Sequence, residues 1–163
     1  MTRRCLLLLL PLVPVLVAVP APLALAAVQP IATAEMNVDG LELDVMSLER
    51  KGNVLTLKWA VRNTGTEQQR ALFSMVGTGA STYVVDEENG AKYYVLTDKE
   101  GQVLASMHEY TESGRYGINQ SIDPGETKRF WAKFPAPPPE VSEVTLLFTA
   151  TEPFEGVAIS EKP

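Results

Sequence analysis

Leu55-Thr56-Leu57-Lys58-Trp59-Ala60-Val61-Arg62 is the stretch whose reading decides the fold. Leu55, Leu57, Trp59 and Val61 occupy one side of a period-two pattern, and Thr56, Lys58, Ala60 and Arg62 the other. Successive side chains of an extended backbone point to opposite faces, so this is a strand with one buried side. Lys51-Gly52-Asn53 before it and Asn63-Thr64-Gly65 after it supply the turn residues that bound it. Trp59, on the apolar side, is expected to fill a core.

The pattern extends outward in both directions. Upstream, Leu41, Leu43 and Val45 alternate with Glu42 and Asp44, and the phase slips near Met46 to Leu48 as it does at a β-bulge. Downstream, short strands are predicted at 71–75, 83–85, 92–96 and 103–105. Glu88-Asn89-Gly90 and Asp98-Lys99-Glu100-Gly101 turn the chain between them, which suggests a meander from Tyr83 to Ala105. Residues 106–121 lose the alternation and read as the longest irregular segment, a length more often functional than that of short loops. Ile122-Asp123-Pro124-Gly125-Glu126 forms a turn, and residues 128–134 form a strand with aromatic residues on both faces. Pro135-Ala136-Pro137-Pro138-Pro139 is stiff and cannot donate ladder hydrogen bonds, so it is expected to carry the chain from one sheet to another. Strands at 144–149 and, on an edge, 156–159 complete the pattern. Short strands without a helical period predict an all-β fold, an antiparallel two-layer immunoglobulin-like sandwich.

Ahead of it, Arg3 and Arg4 precede Leu6–Leu10 and an apolar run to Leu25, closed by the small residues Ala24-Leu25-Ala26. A basic, then apolar, then small-residue order is that of a secretory signal peptide. Pro11, Pro14, Pro20 and Pro22 interrupt the run and argue against a membrane anchor. The expected organisation is a signal peptide at 1–26, with Ala34 as a second acceptable cleavage point, a flexible tether at 27–38 and the sandwich at 39–163. No membrane insertion is expected after cleavage, and the location is the medium, the periplasm or the cell envelope.

Cys5 is the only cysteine and lies inside the leader, so the mature core must hold without disulfides. The chain carries a net charge of −6, and loss of Arg3 and Arg4 with the leader takes it to −8. Nucleic acid and anionic lipid surfaces would be repelled and are not expected as partners.

Four further segments carry a family resemblance: Asp86-Glu87-Glu88-Asn89-Gly90-Ala91-Lys92-Tyr93, Ile122-Asp123-Pro124-Gly125-Glu126, Trp131-Ala132-Lys133-Phe134-Pro135-Ala136-Pro137-Pro138 and Glu152-Pro153-Phe154-Glu155-Gly156-Val157-Ala158-Ile159. Over residues 38–160 the chain resembles bacterial secreted immunoglobulin-like domains. It is similar to those of actinobacterial envelope proteins, some of which precede an outer-membrane-protein-A-like, peptidoglycan-binding module, and to the immunoprotective extracellular antigen family of mycobacteria. The resemblance implies a sandwich and an exported location, and it supplies no catalytic or ligand residue.

No catalytic motif is found. Ser106 and His108 are two apart, but no Gly-x-Ser-x-Gly elbow accompanies them. Dispersed methionines with one histidine are a weak copper set, and acidic turns at Asp86, Glu87 and Glu88 or at Asp98 and Glu100 read as solvated hairpin tips before calcium sites. No enzyme activity, cofactor or metal is therefore expected. Met107, His108, Tyr110, Arg115 and Tyr116 concentrate tyrosine and arginine, the residues favoured at binding hot spots, in the 106–121 segment. The expected function is a non-enzymatic binding or structural module that recognises a protein partner through that segment. The alternative is an envelope accessory enzyme or metal-handling protein whose site is assembled only in space.

Overall fold

The computed structural model describes residues 29–75, 82–106, 108–110, 116–148 and 150–162, and the predicted leader lies outside them. Among the described residues the chain is all strand and turn. The first six strands are β1 (Ala32–Glu35), β2 (Leu41–Lys51), β3 (Val54–Asn63), β4 (Gln69–Ser74), β5 (Tyr83–Asp86) and β6 (Ala91–Tyr94). The remainder are β7 (His108–Tyr110), β8 (Tyr116–Ile122), β9 (Thr127–Pro135), β10 (Glu143–Leu147), β11 (Phe154–Ala158) and β12 (Ser160–Glu161). They form three sheets, ordered β1-β2-β3-β9, β11-β10-β5-β6 and β4-β8-β7, with β12 added to β2. Pairing is antiparallel except for β12, which runs parallel to β2.

The expected bulge is present in β2. Val45 faces Trp59 and Ser47 faces Lys58, so Met46 is the extra residue. One inserted residue reverses the phase of everything after it. Leu41, Leu43 and Val45 are buried before the bulge, and Leu48 and Arg50 after it. The two halves of the β2 edge also take different partners: β1 pairs along the first half and β12 along the second. Arg50, turned inward at the end of the sheet, donates to Val141 O at 2.6 Å and to Glu161 Oε1 at 2.8 Å, which ties the chain end to β2.

Trp59 is fully buried at the centre. Its ring lies 5.7 Å from Phe73 of β4, 5.7 Å from Phe130 of β9 and 5.5 Å from Phe148, just past β10. Inner residues of all three sheets therefore meet in one core, with aromatic pairs at the separations that edge and tilted contacts prefer. As expected, the Pro135–Pro139 segment carries the chain from the sheet of β9 to that of β10.

Three stretches differ from the sequence reading. Residues 32–35, within the predicted tether, form β1, because the open edge of β2 supplies backbone partners that no local pattern announces. Residues 103–105 turn back on the chain after β6 as the expected meander requires, with Val103 bridging Thr97 and Leu104 N donating to Leu96 O at 2.8 Å, but they form isolated bridges and not a strand. Leu104 O accepts from Lys133 N at 2.9 Å and Ala105 bridges Ala132, so the segment docks on the outer edge of β9. Of the 106–121 segment, residues 108–110 and 116–121 are strand in place of the expected irregular loop, and 107 and 111–115 lie outside the described residues. Ile118 and Ile122 are both buried, but half-buried Gln120 between them breaks the apolar alternation that would have revealed β8.

Candidate functional site

The outer face of the β2–β3–β9 sheet carries a groove of about 540 Å³. It is built from strand periodicity. Phe130, Ala132 and Phe134 of β9 are buried, which turns Arg129, Trp131 and Lys133 outward. On β3 the same alternation buries Leu57 and Trp59 and turns Thr56 and Lys58 outward. Register then sets Lys58 opposite Trp131 and Thr56 opposite Lys133. The bulge adds Met46, half-buried, from β2. Trp131 is 38% exposed, unusual for a large aromatic side chain. A second depression of about 360 Å³ shares Met46 and Arg129, passes Ala60 and Arg62, and ends at Gln29 and Pro30.

Charge is distributed unevenly over this face. The carboxylates of β2 are matched by cations of β3: Arg62 bonds Asp44 and lies 2.6 Å from Glu42, and Lys58 lies 3.1 Å from Glu49. Burial opposes ionisation of Asp44. Hydrogen bonds from Arg62 and Thr33, with the Arg62 charge, outweigh it and hold the carboxyl below its ordinary range. Hydrogen bonds from Lys58 and Lys162 lower Glu49 in the same direction. Arg129 and Lys133, one strand further on, have no carboxylate partner among the described residues. No aspartate or glutamate lines the 540 Å³ groove, although the chain is acidic overall.

The candidate residues of the 106–121 segment are partly brought together. His108, Tyr110 and Tyr116 lie on one hairpin, with His108 paired to Ile118 and Tyr110 to Tyr116. Met107 and Arg115 lie outside the described residues. Gly117 lets β8 approach β4 closely: a Cβ there would stand 2.8 Å from Phe73 O. Ser106, where the segment begins, joins it to the groove. Its backbone N–H donates to Trp131 O at 2.9 Å, and its Oγ accepts from Trp131 N at 2.9 Å.

The hydroxyl of Ser106 is thus engaged with the β9 backbone. The acidic turns are likewise held by their own chain. Asp86 accepts from Asn89 N and Nδ2, and Asp98 Oδ1 accepts from Glu100 N and Gln102 N. Among the described residues no three histidine, cysteine or acidic side chains gather where they could hold a metal ion.

Sequence reasoning missed the groove, although Arg129-x-Trp131-x-Lys133 carries a signal for it. A strand whose outward positions read cation, tryptophan, cation presents a surface suited to stacking and ion pairing. Lys58 and Met46, by contrast, join Trp131 only through cross-strand register and the bulge. Compared with protein-family models, with curated proteins and with solved structures, the chain matches none.

Proposed function

We propose that this protein is an exported, non-enzymatic binding module of the cell envelope or medium, built as a two-layer immunoglobulin-like sandwich. It recognises a protein partner through the 106–121 segment and the adjoining Trp131 groove. The observation that carries this reading is an exposed Trp131 between two cations, Arg129 and Lys133, that lack carboxylate partners among the described residues. Tryptophan and arginine dominate binding hot spots, where a flat apolar ring and a fixed charge can both be desolvated by a partner. A hydrolytic site would need a nucleophile and a base within mutual reach. Among the described residues the ionisable side chains that line the groove are Lys58, Arg129 and Lys133, and no carboxylate, histidine or cysteine lines it with them.

The sandwich is supported by the convergence of Trp59, Phe73, Phe130, Phe148 and Phe154 from three sheets. Export is supported by the basic, apolar, small-residue order of residues 1–26 and by the resemblance to secreted bacterial domains.

Capture from envelope and culture-supernatant fractions tests the reading, with residues 27–163 compared with a Trp131→Ala variant and a Tyr110→Ala, Arg115→Ala, Tyr116→Ala variant. A partner held by the parent and lost by either variant, with unfolding midpoints unchanged, supports it. Equal retention by both variants overturns the assigned surface. Absence of any partner overturns the module and favours a spatially assembled enzyme or metal site.

A further inference from the structure

We infer that the Trp131 groove takes an extended acidic segment of another protein, with the pattern acidic-x-apolar-x-acidic. This deepens the binding reading above and rests on it. Arg129, Trp131 and Lys133 project from one face of β9 at alternate positions. Strand geometry spaces such positions by about 6.7 Å, so the two cations stand about 13 Å apart with the indole midway. An extended peptide laid along β9 has the same pitch. Aligned packing keeps its direction within about 30° of the strand below. Its side chains at i, i+2 and i+4 then meet Arg129, Trp131 and Lys133 in turn, which calls for two carboxylates flanking one apolar residue.

Charge complementarity selects the sign. Lys58 is already paired with Glu49, whereas Arg129 and Lys133 have no carboxylate among the described residues, and none lines the groove. Arginine also offers the bidentate fork that suits a carboxylate. A second copy of this chain is a poor occupant. Of its 20 acidic residues, only Glu35 and Asp39 stand four apart, and the residue between them is the polar Asn37.

The test uses residues 27–163 and a synthetic blocked peptide containing Glu-Thr-Leu-Thr-Glu. Its isomer Glu-Glu-Leu-Thr-Thr has the same composition and charge. Calorimetry at low ionic strength should give saturable binding that weakens as salt is added. Binding should fall by about tenfold or more for the isomer and for an Arg129→Gln, Lys133→Gln variant with an unchanged unfolding midpoint. Equal binding of the two peptides, or no saturation with either, overturns the pattern. Self-association in sedimentation that the double variant abolishes also overturns it and assigns the groove to a second copy. The two readings fail separately: partner capture lost in Trp131→Ala without peptide binding leaves the module standing and removes only the acidic pattern.

Discussion

Ser106 and Trp131 exchange hydrogen bonds, with the Ser106 N–H given to Trp131 O and the Trp131 N–H accepted by Ser106 Oγ, each at 2.9 Å. A side-chain oxygen here takes the place of a ladder carbonyl. It ends the docking of residues 104–106 on β9 where the hairpin departs. In a Ser106→Ala variant the Trp131 amide loses its acceptor. The expected cost is about 0.5–1.5 kcal/mol in urea unfolding, together with faster exchange of the Trp131 amide proton. Unchanged exchange would show that the hydroxyl does not hold this edge.

The two tryptophans report opposite environments, Trp59 fully buried and Trp131 38% exposed. Iodide should quench the accessible fluorescence more than caesium does, despite the negative charge of the chain, because Lys58, Arg129 and Lys133 surround Trp131. Raising salt to about 0.5 M should shrink the difference, since the screening length then falls below about 8 Å. Trp131→Phe should abolish the accessible fraction. Stronger quenching by caesium would contradict the cationic groove.

Gly117 has no room for a side chain, its Cβ position lying 2.8 Å from the Phe73 carbonyl oxygen. Both neighbours are backbone-paired strands, so neither can withdraw without breaking ladder bonds. Gly117→Ala is expected to destabilise the fold by about 1–3 kcal/mol and to speed amide exchange across β4, β7 and β8 before other strands. A variant of parental stability would refute the close approach.

Asp44 is held below its ordinary pKa in the folded chain by Arg62 and Thr33 against the cost of burial. A carboxyl depressed on folding contributes stability that is present above its unfolded value, near 3.8, and is lost as pH falls through the folded one. Unfolding free energy should therefore drop between pH 4 and pH 2 more in the parent than in Asp44→Asn. Parallel pH profiles for the two proteins would exclude Asp44 as a contributor.

Cleavage after Ala34 would remove most of β1 with its Thr33 to Asp44 bond at 2.7 Å, and also the Ile31 N to Val45 O bond at 2.8 Å just ahead of it. A chain begun at Glu35 is expected to be less stable than one begun at Ala27 by on the order of 2 kcal/mol. N-terminal sequencing of a cleaved chain should accordingly place its first residue ahead of Ile31. Equal unfolding midpoints for the two chains would make β1 dispensable.

The sequence by itself determined β2, β3 and β9, a bulge near Met46 to Leu48 and the burial of Trp59. A strand with one face in the core and one in water writes that division into adjacent residues, and an inserted residue shows as a slip of phase. Tertiary structure alone decided β1, the docking of residues 104–106 on β9 and the hairpin of β7 and β8. Those segments pair because another strand offers backbone partners, and Gln120 on β8 leaves no apolar period to read. The groove divides in the same way. Arg129, Trp131 and Lys133 stand at alternate positions in the sequence, but Lys58 and Met46 reach them only through pairing register. Register is fixed by packing between residues distant along the chain, and no local pattern records it.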